Sequence, residues 1–179
     1  SNIQDDVVLH GLETTKEGKN LDNKRFTKDG ELLLGNDTRF KEGYSVFVGE
    51  RTSLAHGTLV HGPAYVGNDT FVGMESLVFN AKVGNNVAIG VSSTITGGVE
   101  IPDNKFVPPG SIITTQGQVD KLPDRIGSPY ENINKEVIHV NEELDEGYEV
   151  IDIEKIIGEK EKAMERNMLE TGITSSSIQ

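Results

Sequence analysis

The stretch Val48-Gly49-Glu50-Arg51-Thr52-Ser53-Leu54-Ala55-His56-Gly57-Thr58-Leu59-Val60-His61-Gly62-Pro63-Ala64-Tyr65-Val66 places an apolar residue at every sixth position: Val48, Leu54, Val60 and Val66. The series runs on through Val72 and Val78 and, after one missing residue, through Val83, Ile89, Ile95, Ile101, Val107 and Ile113. A hexapeptide repeat is neither the 3.6-residue period of a helix nor the alternation of an ordinary strand; it marks a solenoid of short parallel strands. Three six-residue sides close one triangular coil, so Val48 should lie beneath Val66, Leu54 beneath Val72 and Val60 beneath Val78, with strands about 4.7 to 4.9 Å apart. Gly49, Gly67, Gly73, Gly84 and Gly90 directly follow apolar positions, where a small residue eases the turn. Each coil buries its apolar column against the next, so an end coil needs a cap.

Outward from this core, residues 1–115 read as a mainly β domain of hexapeptide repeats, a parallel β-helix, with Ile3 and Leu9 as its first apolar positions. Such helices resemble the left-handed β-helix family, an exception to the usual right-handed crossover. Residues 14–44 lose the repeat and carry turn chemistry at Lys16-Glu17-Gly18-Lys19-Asn20 and Lys28-Asp29-Gly30, with a short hairpin strand expected at Glu31-Leu32-Leu33-Leu34. This is an inserted loop, long enough to suspect a function. Residues 116–130, rich in Gly, Pro and Gln, read as a linker. Residues 131–170 read as a C-terminal helical segment: an amphipathic helix from Glu131 to Glu146 ended by Gly147, then a second helix through Ile153, Ile156, Ile157, Ala163, Met164 and Met168. Residues 171–179 read as a flexible tail.

The formal charge of -12 argues against nucleic acid and anionic membrane surfaces as partners. With 0 cysteines, disulfides and thiolate metal sites are excluded, so a metal would be held by histidine and carboxylate. No run approaches the roughly 18 to 20 apolar residues that span a bilayer. The chain opens at Ser1-Asn2-Ile3-Gln4 rather than Met, already inside the repeat, so an upstream segment is expected and a signal peptide cannot be judged. The compartment stays open, leaning to the cytoplasm.

Because the repeat fixes which way each side chain points, it also says which histidines can meet. His10 follows Leu9 and His61 follows Val60, so both project outward from the same side of the prism on successive coils once the inserted loop is set aside. Two imidazoles so stacked can share one metal at 2.0 to 2.1 Å. His56, two places after Leu54, lies on the preceding side, across a corner. A third ligand could then come from a second subunit, and a cyclic trimer would build such a site three times, each with an open position for water as in catalytic zinc sites. Taken singly, each histidine also reads as a plain polar surface residue.

Asn2-Ile3-Gln4-Asp5-x-Val7-Val8-Leu9-His10-x-Leu12-Glu13 and Ser53-Leu54-Ala55-His56 to His61-Gly62-Pro63-Ala64 closely resemble the gamma-class carbonic anhydrases. The likeness continues through Val66-Gly67-Asn68-Asp69-Thr70-Phe71-Val72-Gly73-Met74 and Asp120-Lys121-Leu122-Pro123 to Asn141, covering roughly residues 1 to 148. It implies a homotrimer of left-handed β-helices that hydrates carbon dioxide to bicarbonate, with Zn2+, or Fe2+ or Co2+ in some members, bound by His10 and His61 of one chain and His56 of its neighbour. In carbonic anhydrases themselves the metal lowers the pKa of water from 15.7 to about 7. The resemblance also gives Glu13 the part of a mobile proton relay, Gln4 and Asn141 hydrogen bonds near metal-bound solvent or substrate, and Asp5 an interface role with an upstream arginine. That arginine, with an aspartate and a glutamate, should precede Ser1. His139 stands where the best-known member has tyrosine. Two further readings remain open: a non-catalytic scaffold subunit of this family, and a hexapeptide-repeat acyltransferase, which would leave two histidines unexplained.

Overall fold

The structure, a computed structural model, describes residues 1–12, 15–16, 19–20 and 22–149, and in residues 15–16, 19–20 and 145–149 the backbone only. Glu13 and the second C-terminal helix and tail expected after residue 149 lie outside the described residues. The chain divides into two compact units, Ser1–Ile138 and His139–Gln179.

The first unit is the parallel β-helix expected from the repeat. One face stacks Asn2–Ile3, Ser53–Leu54, Phe71–Val72, Ala88–Ile89 and Phe106–Val107. The second face stacks Val8–His10, the start of Leu59–Val66, the start of Leu77–Val83, Thr94–Ile95 and Ile112–Ile113. The two long strands then turn onto the third face, beside Val46–Val48 and Glu100–Ile101. Every stacked pair is parallel, and Val48 pairs with Val66, Leu54 with Val72 and Val60 with Val78. Leu54, Val60, Val66, Val72, Val78, Val83, Ile89, Ile95 and Val107 are all 0% exposed, an unbroken apolar column in which each side chain is worth about 1.5 to 3 kcal/mol.

The residue missing between Val78 and Val83 is lost at a corner. Where the partner coil turns through Gly62 and Pro63, this coil turns at Asn80 alone, with φ at 47°. Asparagine tolerates that left-handed backbone better than most side chains. The glycines after the repeat positions serve a different need. Gly67 has an ordinary φ, but a Cβ there would stand 2.6 Å from the Gly84 carbonyl carbon and 2.7 Å from Asn85 Oδ1. The next coil's corner residue fills that space: the backbone N–H of Asn68 donates to Asn85 Oδ1 at 2.8 Å, and that of Asn85 to Asp103 Oδ1 at 2.7 Å.

The two ends of the prism differ. At the far end the segment expected as a linker acts as a cap. Its short helix α1, Gln116–Val119, sends the Gln116 amide to exchange both hydrogen bonds with the Glu100 backbone, at 2.9 and 3.0 Å, as a neighbouring strand would. Val119 and Leu122 enter the core. At the near end Ile3 and Leu9 hold the expected register, opposite Leu54 and Val60, yet are 48% and 47% exposed, because no described coil stacks beyond them.

The inserted loop forms two antiparallel hairpins, Thr15–Lys16 with Lys19–Asn20 and Lys24–Phe26 with Leu32–Leu34, the latter containing the strand expected at Leu32 to Leu34. Its buried Phe26 and Leu33 lie over the third face, where Phe26 meets Tyr65 at 5.8 Å between ring centroids and Tyr65 stacks on Phe47 at 5.1 Å. Residues 125–134 cover the first face in the same way. Tyr130 packs on Phe71 and Phe106, and buried Asn134 donates its Nδ2 to the Arg51 carbonyl at 2.8 Å.

Helix α2, Ile133–Glu149, begins in the first unit and continues into the second. It runs through Gly147, where the sequence led us to expect its end; a glycine inside a helix costs about 1 kcal/mol relative to alanine, enough to weaken a helix but not to stop one. Among the described residues no helix is long and apolar enough to cross a membrane.

Candidate metal centre

His10 and His61 are cross-strand partners on the second face, 51 residues apart in sequence, with His10 Nδ1 3.2 Å from His61 Nε2 and ring centroids 4.9 Å apart. The local backbone decides the protonation of one ring. His61 Nδ1 is 2.9 Å from the Gly62 carbonyl oxygen, which can only accept, so Nδ1 carries the proton and Nε2 presents its lone pair toward His10. A backbone carbonyl that sets the tautomer in this way is the usual support of a metal-binding imidazole. On the other side of His61, Phe79 one coil along sets its ring edge-on at 5.2 Å.

His56 stands apart. It sits exposed at the corner between first and second faces, where its carbonyl accepts from the Glu75 N–H at 3.0 Å. Among the described residues no group of three or more His, Asp or Glu is gathered closely enough to hold a metal ion. The chain therefore presents two converging imidazoles, which suit a borderline metal such as zinc, and is one ligand short of the three-histidine pattern. Gln4, half-buried, follows Ile3 on the first face and its N–H donates to the Leu54 carbonyl at 3.1 Å. Asp5 lies at the His56 corner, its carbonyl accepting from Gly57 N–H at 3.1 Å. Asn141 belongs to the second unit, half-buried on α2, as does His139, whose Nε2 lies 3.3 Å from Glu143 Oε1 one turn on. Glu13, as noted, is not among the described residues.

One feature of this region escapes the six-residue repeat. The residues just before the repeat positions also project outward, and on the second face four of them are apolar: Val8, Leu59, Leu77 and Ile112. Val8 is 49% and Ile112 64% exposed. Val8, Leu59 and Leu77 with Phe79 make an apolar strip beside the histidine pair, and Ile112 lies two coils beyond Leu77, past Thr94. The signal was in the sequence, as apolar residues directly before four repeat positions of this face and on both sides of Val78.

No family model matches the chain. Among known proteins it is 44% identical over 150 residues to a carbonic anhydrase of Methanosarcina thermophila, a match spanning 83% of this chain and 56% of that one. The chain is a carbonic anhydrase homologue. This bears out the gamma-class resemblance and implies a metal cofactor. The homologue is also 42% identical over 148 residues to the carboxysome assembly protein CcmM of Nostoc sp., covering 83% of this chain and 23% of that one. A third relative, CcmM of Synechococcus elongatus, is 41% identical over 122 residues, 68% of this chain and 19% of its own length. The homologue thus spans little more than half of the carbonic anhydrase and less than a quarter of the carboxysome proteins.

Proposed function

We propose that this chain is a subunit of a homotrimeric, metal-dependent carbonic anhydrase, each of whose centres takes His10 and His61 from one subunit and His56 from the next. The observation that carries the reading is the 3.2 Å approach of His10 Nδ1 to His61 Nε2 across 51 residues, since two imidazoles that share a hydrogen bond here are also close enough to share one metal ion. The exposed apolar residues of the second face support the trimer: Val8 and Phe79 flank the histidine pair, and a second copy is the natural cover for a surface holding half a site. The metal is zinc in this proposal, with ferrous iron or cobalt as alternatives.

When bound, the metal acts as a Lewis acid that acidifies water toward neutral pH. The protein's own part begins at His61, where the Gly62 carbonyl keeps the Nδ1 proton and leaves Nε2 free to coordinate. Gln4 and Asn141 supply, by resemblance, the carboxamides that orient the reacting oxygens. The apolar surroundings at Leu59, Leu77 and Phe79 suit an uncharged linear substrate better than bicarbonate, and so favour release of the product. Hydration of carbon dioxide yields bicarbonate and one proton, and Glu13 carries that proton to buffer as its carboxylate gains and loses it.

The shared site has a direct test. His10→Ala and His56→Ala trimers should each lose metal and activity, whereas subunits unfolded and reassembled together should regain about a quarter of the sites by random assortment in a cyclic trimer. Metal content and stopped-flow hydration of carbon dioxide read this out; no recovery in the mixture would sink the intersubunit geometry. A second reading, a non-catalytic assembly subunit, is favoured by the likeness to the carboxysome proteins. A metal-loaded trimer without hydration activity would select it.

A further inference from the structure

Ser45 is the first residue after the inserted loop, and it is the point at which the two histidine-bearing strands are tied together. Its hydroxyl oxygen accepts the Leu12 N–H at 3.0 Å, two residues beyond His10. Its carbonyl accepts the Ala64 N–H at 2.8 Å, three residues beyond His61. Between these bonds lie two glycines that face the serine, and at Gly62 there is no room for a side chain on that side. A Cβ at Gly62 would be 2.3 Å from Ser45 Oγ and 2.7 Å from its carbonyl oxygen, and a Cβ at Gly11 would touch Ser45 Cβ at 3.5 Å. Gly62 is also the residue whose carbonyl fixes the His61 tautomer.

We propose that Ser45 is a positioning residue that sets the spacing and tautomer of the His10 and His61 pair through the backbone of both strands. The long insertion enters the prism two residues after His10 and leaves it at Ser45, so the return of the chain is itself the clasp. Without the hydroxyl, Leu12 loses its partner at the loop's point of departure, the strand carrying His10 is free to shift against that carrying His61, and the close packing of Ser45 Oγ on the Cα of Gly62, the residue whose carbonyl faces His61 Nδ1, is opened. The inference rests on the metal reading for its consequence, not for its geometry.

The test compares Ser45→Ala with Thr70→Val in the intact chain. Thr70 also ties two coils through a hydroxyl, which accepts the Val87 N–H at 3.2 Å, but it lies at the start of a first-face strand. In metal-free wild type, long-range 1H–15N correlation of the imidazoles should show His61 as the single Nδ1-protonated tautomer. Ser45→Ala should introduce the second tautomer and weaken zinc binding, measured by chelator competition, by about tenfold, the low end of what groups that orient metal ligands are worth. Thr70→Val should lower the melting temperature and leave tautomer and zinc affinity unchanged. A single tautomer and wild-type affinity in Ser45→Ala, or equal shifts in both variants, would overturn the assignment. If wild type binds no zinc, the metal reading fails while the tautomer comparison still decides the part played by Ser45.

Discussion

The three faces of the prism are built from one repeat and differ only in what lies outside them. The first carries Phe71 and Phe106 beside Tyr130, and the third carries Phe47 and Tyr65 beside the inserted hairpin's Phe26, so the chain itself packs against both outer surfaces. The second carries Val8, Phe79 and Ile112, all exposed among the described residues, with two histidines on the same face. A solenoid must bury its inward column to fold, but what it does with its outward columns is free to vary. Here two of them tie down the chain's own irregular segments, and the third is the one on which the proposed centre and the proposed trimer contacts fall.

That contrast breaks most visibly if charge is placed on the second face. Leu77→Glu with Ile112→Glu should dissociate the proposed trimer, since like charges brought together around a symmetry axis cost several kcal/mol. Light scattering should give the monomer mass, and bound metal should fall with it. Tyr44→Glu, a comparably exposed aromatic on the inserted loop, should leave the trimer whole. A trimer that survives the charged second face would mean that this surface is not the interface.

A substitution in the repeat itself should injure all three faces together. The missing space at Gly67 makes Gly67→Ala an overpacking change of about 3 kcal/mol, because the nearest obstacles, the Gly84 carbonyl carbon and oxygen, are backbone atoms of the next coil that cannot swing aside as a side chain could. Urea denaturation should show a lowered midpoint with the slope unchanged. A smaller loss, about 2 kcal/mol, is expected when the first face alone is uncovered by Tyr130→Ala, from the buried ring area and its contacts with Phe71 and Phe106. The trimer mass should not change there, and a drop would show that the faces are not independent.

The sequence made one half of this contrast readable and left the other half hidden. Inward positions repeat every six residues, so the register of Val48, Leu54 and Val60, and with it the stacking of His10 on His61 across the insertion, follows by counting. Nothing periodic announces which irregular segment lies on which face. The Gly, Pro and Gln content of 116–130 suggested only a connection, because a glutamine that completes a strand edge looks in sequence like any other surface amide. The proposed role of Ser45 was hidden for a related reason: it depends on where the excursion through residues 14–44 returns, which is a matter of three-dimensional closure and not of pattern. His56 was separable from the other two because a corner intervenes, and corners can be counted.

The smallest effect expected is a pH-dependent one on the first face, where Arg51 and Asp69 join neighbouring coils through two hydrogen bonds of 2.7 and 2.8 Å. Those hydrogen bonds, aided by the Arg51 and Arg125 charges, hold the Asp69 carboxyl below its ordinary 3.8. A carboxyl whose pKa is lowered by folding binds its proton more weakly in the native state. Its contribution is therefore complete above the unfolded value, near pH 4, and is lost as pH falls through the lower folded one. Both side chains are largely exposed, so solvent screens the pair and the gain is modest. Wild type should exceed Asp69→Asn in urea midpoint at pH 6, with the difference fading in acid below about pH 4. A gap that stays constant through that range would assign the stabilisation to packing at the corner instead of to the ionised carboxylate.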